Sequence, residues 1–259
     1  MKRREFLAAA AAATAGATVS ALTSNLPKTN AQQTESNSKE NKSFVFVIDQ
    51  NRCDGCQMCT EACQTEMQVP PNWGGQVGYA GKQAWIQVFD MGDGVFLPVP
   101  CQNCQNAPCA KVCPVGATYY NEDHLVLIDQ NRCIGCRYCV VACPYERRFF
   151  NWFDPPVLPE DANATYSPEY NIPHRKGVAE KCIWCAHRVD QDTVPACVEA
   201  CAKAGMKALW FGDASQNVAS NGVDVTSLSS LLEKRGAYKL HEELGTLPQV
   251  LYLPPEGNV

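Results

Sequence analysis

After an alanine-rich opening stretch, apolar residues come in short bursts separated by polar and turn-forming residues. Phe44-Val-Phe-Val-Ile-Asp49 predicts a short strand. Ala84-Trp-Ile-Gln-Val-Phe89 predicts another, and Lys203–Phe211 turns into a closing strand over Ala208–Phe211. Leu228, Leu231 and Leu232 give residues 225–235 helical spacing, and residues 247–253 read as extended. Between these elements lie a polar stretch over residues 32–43, which predicts a flexible linker, and Pro70-Pro-Asn-Trp-Gly-Gly75, a turn-rich loop. Past the opening stretch, no segment reaches the roughly 18 consecutive apolar residues of a membrane-spanning helix.

The cysteines change this picture. There are 16 in 259 residues, and all fall into four quartets with none left over. The quartets are Cys53, Cys56, Cys59 and Cys63; Cys101, Cys104, Cys109 and Cys113; Cys133, Cys136, Cys139 and Cys143; and Cys182, Cys185, Cys197 and Cys201. The third runs Cys133-x2-Cys136-x2-Cys139-x3-Cys143-Pro144, the spacing of bacterial-type ferredoxins. Its first three thiolates can wrap one corner of a cubic iron–sulfur cluster. The fourth, one helical turn further on, points away to a different cluster. Disulfides are the ordinary reading of many cysteines in an exported chain, but complete quartets favour four cubane clusters. Structural zinc is the other reading. Zinc sites usually close with two ligand pairs separated by a loop, not with one dense run ending in Cys-Pro.

Composition adds little else. The length suits one large or two small domains. The 17 Gly and 17 Pro predict many turns, so clusters more than an apolar core would hold the fold, with cluster insertion coupled to folding. The formal charge of −5 gives no basic patch for nucleic acid. Ile48-Asp-Gln-Asn-Arg-Cys53-x-Gly-Cys56 recurs at Ile128-Asp-Gln-Asn-Arg-Cys133-x-Gly-Cys136, an internal repeat that suggests a duplicated module. Gly55 and Gly135 allow positive φ and a close backbone approach to a cluster.

No catalytic constellation is legible. His124, His174, His187 and His241 are scattered and read as surface or structural residues, and every cysteine is used, so no thiol is left as a nucleophile. A chain of filled clusters without substrate machinery moves electrons. Lys181, Arg52 and Arg132, beside quartets, are candidates for raising nearby potentials or plain surface charges. Trp73 and Trp85 fit cluster shielding, a partner face or local packing. Arg147, Arg148, Phe149, Phe150 and Trp152, ahead of a Pro-rich stretch, have an interface-like composition.

The order of the four quartets, Pro100-Cys101-Gln-Asn-Cys104, Val112-Cys113-Pro114-Val-Gly-Ala117, Cys143-Pro144-Tyr145 and Glu180-Lys181-Cys182-x2-Cys185 resemble the four-cluster electron-transfer subunits of the molybdopterin oxidoreductase family, such as those of dimethyl sulfoxide, polysulfide/thiosulfate and tetrathionate reductases. The resemblance covers roughly residues 44–255 and implies a pairing of the first quartet with the fourth and the second with the third. Cluster one would use Cys53, Cys56, Cys59 and Cys201. Cluster two would use Cys63, Cys182, Cys185 and Cys197. Cluster three would use Cys101, Cys104, Cys109 and Cys143. Cluster four would use Cys113, Cys133, Cys136 and Cys139. The spacing alone supports the exchange of fourth ligands without choosing these partners. The resemblance also implies a molybdenum or tungsten pterin catalytic subunit at one end of the wire and a membrane quinone-linked subunit or cytochrome at the other. Nitrate-reductase-type members replace one cysteine; this chain does not.

The implied fold class is α+β, with two interleaved bacterial-ferredoxin-like modules. One spans residues 44–94 plus 174–215 and holds clusters one and two. The other spans 95–150 and holds clusters three and four. A Pro/aromatic loop follows over 151–173 and a C-terminal docking extension over 216–259. Met1-Lys-Arg-Arg-Glu-Phe-Leu7 resembles a twin-arginine export signal, which makes residues 1–31 a leader and places the mature chain in the periplasm or on the outer face of the cytoplasmic membrane. An uncleaved weak membrane anchor is the alternative. Rival functions are the electron-transfer subunit of a periplasmic hydrogenase, a structural zinc module and a diffusible ferredoxin.

Overall fold

The apolar run at residues 44–49 becomes the interior of the main sheet because each of its faces finds a core. The computed structural model describes residues 42–69, 84–155, 164–233 and 235–256. The expected leader, most of the linker, the loop with Trp73 and part of the Pro-rich stretch lie outside the described residues. The fold is α+β. Its elements are β1 (Phe44–Asp49), α1 (Met58–Glu66), β2 (Gln87–Asp90), β3 (Phe96–Val99), α2 (Pro108–Lys111), β4 (Thr118–Tyr120), β5 (Val126–Ile128) and α3 (Tyr138–Ala142). They continue as β6 (Phe149–Phe150), β7 (Ala179–Glu180), α4 (Ala186–Val189), α5 (Ala196–Lys203), β8 (Leu209–Asp213), β9 (Val218–Ser220), β10 (Val225–Ser227), α6 (Leu228–Leu232) and β11 (Val250–Leu253).

The main sheet has the order β10-β9-β8-β1-β11. β1 pairs antiparallel with β8 (Phe46 opposite Phe211) and parallel with β11 (Phe46 opposite Val250). Successive strand residues point to opposite faces. Phe46 and Ile48 therefore pack with Trp184, Leu209 and Phe211 in the core that contains the first and fourth quartets, while Val45 and Val47 pack with Trp210, Leu228 and Leu253. Three antiparallel ribbons, β2–β3, β4–β5 and β6–β7, complete the strands.

The short helices carry the cysteines. α1 packs against α5 and α2 against α3. Cys59 and Cys63 lie on α1, and Cys197 and Cys201 on α5. Cys109 lies on α2 with Cys113 just beyond it, and Cys139 lies on α3 with Cys143 as its C-cap. The repeat works as a structural unit as well. Asp49 and Asp129 each accept the backbone N–H two residues on, and Arg52 and Arg132 pair with them. Gly55 and Gly135 adopt φ +77° and +70°. A Cβ at Gly135 would stand 2.3 Å from the Gly177 carbonyl oxygen, and one at Gly55 2.5 Å from the Phe96 ring.

Some expected elements shift. The helix expected over 225–235 is shorter, because Val225–Ser227 pairs with β9 and the Ser227 hydroxyl then caps α6 by accepting the Ser230 N–H. The closing strand starts one residue later and ends two later than expected, and the strand expected from Ala84 begins at Gln87. The stretch expected as a docking extension supplies three of the five main-sheet strands. Its segment 246–249 also clamps the Cys104 loop, through Gln105 N–H to Leu247 O, Asn106 N–H to Thr246 O and Gln249 N–H to Gln102 O, all 2.9–3.0 Å. Arg147 and Arg148, read as interface residues, are buried, whereas Trp152 and Phe153 are exposed. Arg147 turns inward because Gln87 Oε1 and the Tyr145 carbonyl accept from it.

Buried polar groups hold the long connection in place. His174 Nδ1 donates to Glu180 Oε1 (2.6 Å) and Nε2 to the Met67 carbonyl (2.8 Å). Both partners are acceptors, so the geometry requires an imidazolium. Burial disfavours that cation, yet the Glu180 carboxylate and the two hydrogen bonds prevail and hold His174 above its ordinary value. A group with a raised folded-state value stabilises fully below its unfolded value, and loses that contribution as pH rises through the folded one. Breaking a buried pair typically costs about 3–5 kcal/mol. His174→Gln should therefore speed denaturant-induced bleaching of the visible cluster absorbance. The gap from wild type should be widest below pH 6.5 and shrink in alkali; a gap that grows with pH contradicts the ion pair.

Candidate functional site

Cys53, Cys56, Cys59 and Cys201 line one pocket, together with Asp54, Met206 and Leu209. The loop before α1 brings in Cys53 and Cys56, α1 supplies Cys59, and α5 supplies Cys201 from the other end of the chain. Backbone N–H groups aim at the sulfurs: Gly55 at Cys53, Met58 at Cys56 and Ala208 at Cys201 (3.3 Å). Cys101, Cys104, Cys109 and Cys143 line a second pocket, with Tyr145, Arg147 and Arg148 in its wall.

The other two groups are defined by which thiols face each other. Cys63 is raised by burial and then by Cys182 and Cys185, and Cys197 by burial and then by Cys185, Cys63 and Cys182. This is the most deeply enclosed set. Cys139 is raised by burial and faces Cys133 and Cys113 as well as Cys109. Cys136 lies half-exposed in the loop between Cys133 and α3. Ala117 N–H donates to Cys113 Sγ (3.2 Å) and Ala179 N–H to Cys133 Sγ (3.5 Å). Cys113 alone is held below its ordinary value: burial pushes it up, but the N–H groups of Thr118, Val115 and Ala117 and the Arg148 charge outweigh that.

The groups are connected in a definite order. α1 and α5 each carry one cysteine of the first cavity and one of the Cys182 set, four residues apart. The Cys109–Cys113 and Cys139–Cys143 pairs link the second cavity to the Cys133 set in the same way. The two halves meet where the Cys101 backbone N–H points at the Cys182 sulfur and Trp184 Nε1 donates to the Cys101 carbonyl (2.8 Å).

The donor set fits cubane iron–sulfur clusters. Burial pushes Cys53 and Cys182 up to about 11 and Cys59, Cys104 and Cys185 up to about 12, so these thiols stay protonated at neutral pH until iron displaces the proton. Each lined cavity is a volume ringed by thiols. Among the described residues, no three His, Cys, Asp or Glu side chains converge as a single-ion site.

The remaining candidates separate cleanly. The Arg52 and Arg132 side chains are mostly exposed and tied to their own aspartates. Lys181 is fully buried, with Nζ donating to the Cys182 carbonyl (2.6 Å). Trp85 is buried and packs edge-on to His174, which is local packing. His187 pairs with Glu66, a structural role. Sequence reasoning missed the inward turn of Arg148, which faces thiols of both the Cys101 and Cys133 groups. The only signal was its position five residues after Cys143.

Comparison with known proteins agrees with this chemistry. Models described as a 4Fe-4S dicluster domain match residues 93–156 and 125–202, and a 4Fe-4S binding domain matches 46–68. A putative dimethyl sulfoxide reductase iron-sulfur subunit from Halobacterium salinarum is 38% identical over 223 residues, covering 82% of this chain and 79% of the relative. The iron-sulfur cluster-binding subunit of menaquinone reductase from Nitratidesulfovibrio vulgaris is 36% identical over 238 residues, covering 80% and 87%. A tetrathionate reductase subunit from Salmonella typhimurium is 35% identical over 215 residues, covering 81% and 72%. The chain belongs to this family of oxidoreductase iron–sulfur subunits: it binds several 4Fe-4S clusters and transfers electrons.

Proposed function

We propose that the chain holds four 4Fe-4S clusters as a linear wire inside an exported respiratory oxidoreductase, between a molybdopterin catalytic subunit and a membrane quinone-linked or cytochrome partner. The observation that carries it is the meeting of Cys101 and Cys182, which joins two doubly bridged halves into one line. The ligand sets are Cys53, Cys56, Cys59 and Cys201; Cys63, Cys182, Cys185 and Cys197; Cys101, Cys104, Cys109 and Cys143; and Cys113, Cys133, Cys136 and Cys139. The two interleaved ferredoxin-like modules follow from this sharing.

The clusters supply one-electron carriers, and each transfer oxidises one and reduces the next without making or breaking a bond. The protein's residues do the rest. Cysteine thiolates and backbone N–H groups hold and stabilise the clusters, and the aromatic core keeps water from the middle of the line. The two ends approach the surface. Cys56 and Met58 are exposed at one, and Ile134, Tyr138 and Val141 surround Cys136 at the other. Such apolar rims suit partner docking. The named reductases among the relatives support the catalytic partner, and the menaquinone reductase subunit supports the quinone link. The Arg3-Arg4 leader supports export already folded around clusters.

Two experiments test this. Cys201→Ser should alter the same paramagnetic signal as Cys53→Ser and leave the signals altered by Cys104→Ser and Cys136→Ser intact. A change in one of the latter contradicts the pairing. Anaerobic affinity isolation of the full chain from periplasmic and membrane fractions should bring down a large subunit with molybdenum or tungsten. Nickel would point to a hydrogenase, and a fully loaded chain without a partner to a diffusible ferredoxin.

A further inference from the structure

Arg148 is out of place for a structural residue. It is 4% exposed, yet among the described residues it forms no ion pair with a carboxylate. Nη1 donates to Thr118 Oγ1 (3.1 Å), and Nη2 makes no hydrogen bond. The side chain lies in the wall of the pocket lined by Cys101 and Cys109, and its charge acts on Cys109, Cys139, Cys101 and Cys113. A guanidinium keeps its charge in proteins, and a buried charge without a counter-ion is strongly disfavoured. The compensating charge must come from the thiolates and from what they bind.

Cys101 and Cys109 line the third-cluster cavity, whereas Cys113 and Cys139 belong to the fourth ligand set. The cation therefore lies between two clusters. A 4Fe-4S cluster with four thiolates is anionic and becomes more so by one charge on reduction, so a fixed buried cation favours the reduced form. The residue 80 positions earlier is Gln68, so the duplicated half has no cation at the matching place; its buried cation is Lys181, whose Nζ is engaged by the Cys182 carbonyl, whereas Nη2 of Arg148 has no oxygen partner. At the far end, Asp54 lines the pocket of Cys53, Cys56 and Cys201, a charge of the opposite sign.

We propose that Arg148 is a positioning residue for electron transfer: a permanent cation set between clusters three and four that raises the reduction potential of both relative to clusters one and two. It tilts the wire, so an electron rests more favourably on the half near Cys136 than on the half near Cys56. This rests on the ligand sets proposed above.

The test is anaerobic redox titration of the loaded full chain, followed by electron paramagnetic resonance. Signals are named beforehand with Cys104→Ser for cluster three and Cys136→Ser for cluster four. If those variants fail to alter two separate signals, the ligand assignment fails and not this proposal. Given that assignment, Arg148→Gln should lower both potentials by enough to change the reduced-to-oxidised ratio about tenfold at fixed potential, or about 59 mV for one electron. The cluster one and two signals should stay in place. Arg148→Lys, which keeps the charge, should restore most of the shift at equal iron and sulfide content. If Arg148→Gln does not load iron, Thr118→Val decides. It removes the hydroxyl that accepts from Arg148 Nη1, and should move the same two potentials upward. Unchanged potentials in the loaded variants, or a shift shared equally by all four clusters, overturn the proposal.

Discussion

Two cysteines four residues apart on a helix stand one above the other and face different volumes. The rest of the structure depends on that spacing. Cys59 and Cys63, Cys197 and Cys201, Cys109 and Cys113, and Cys139 and Cys143 each span two neighbouring thiol groups. No group can then form from one stretch of chain, and the first is closed only when α5, more than a hundred residues away, packs on α1. The helices are too short to be stable alone. They are held by the sheet on one side and by what the thiols bind on the other. With burial pushing several thiols up to about 11 or 12, the iron-free interior is filled with protonated sulfur, and iron binding and folding become a single process.

The same enclosure makes charge placement consequential. Inside a low-dielectric core a single cation acts over several ångströms, whereas Arg52 and Arg132, exposed beside their aspartates, are screened. The chain keeps most charges at the rim. Asp49, Arg147 and Asp213 are buried too, and three further buried features stand out: the His174–Glu180 pair, which secures a connecting segment, Lys181 at the Cys182 carbonyl, and Arg148 in the wall of the Cys101 cavity. The first is neutral as a pair and structural. The last has no carboxylate partner among the described residues, and the proposal above gives it a role in electron transfer.

Much of this was legible in the sequence. Cysteine spacing is short-range information, so the quartets, their chemistry and the repeat could be read directly, as could β1, β8 and β11 from their apolar runs. What the sequence hides is long-range. Nothing local says that Val250–Leu253 lies parallel to β1, or that residues 246–249 clamp the Cys104 loop. Arg147 and Arg148 read as part of an interface-like composition; their burial depends on Gln87, Thr118 and sulfur atoms brought from elsewhere. The helix expected at 225–235 was shortened by a serine cap competing with a strand register, which spacing alone cannot rank.

The sharing of ligands between quartets is the central claim. It is tested most directly by locating iron in crystals of the loaded chain with anomalous X-ray scattering at the iron absorption edge. The account predicts four compact iron sites in a line from the Cys53 loop to the Cys133 loop, each bound by thiols from two quartets. A cluster closed within a single quartet, or a branched rather than linear arrangement, would contradict it.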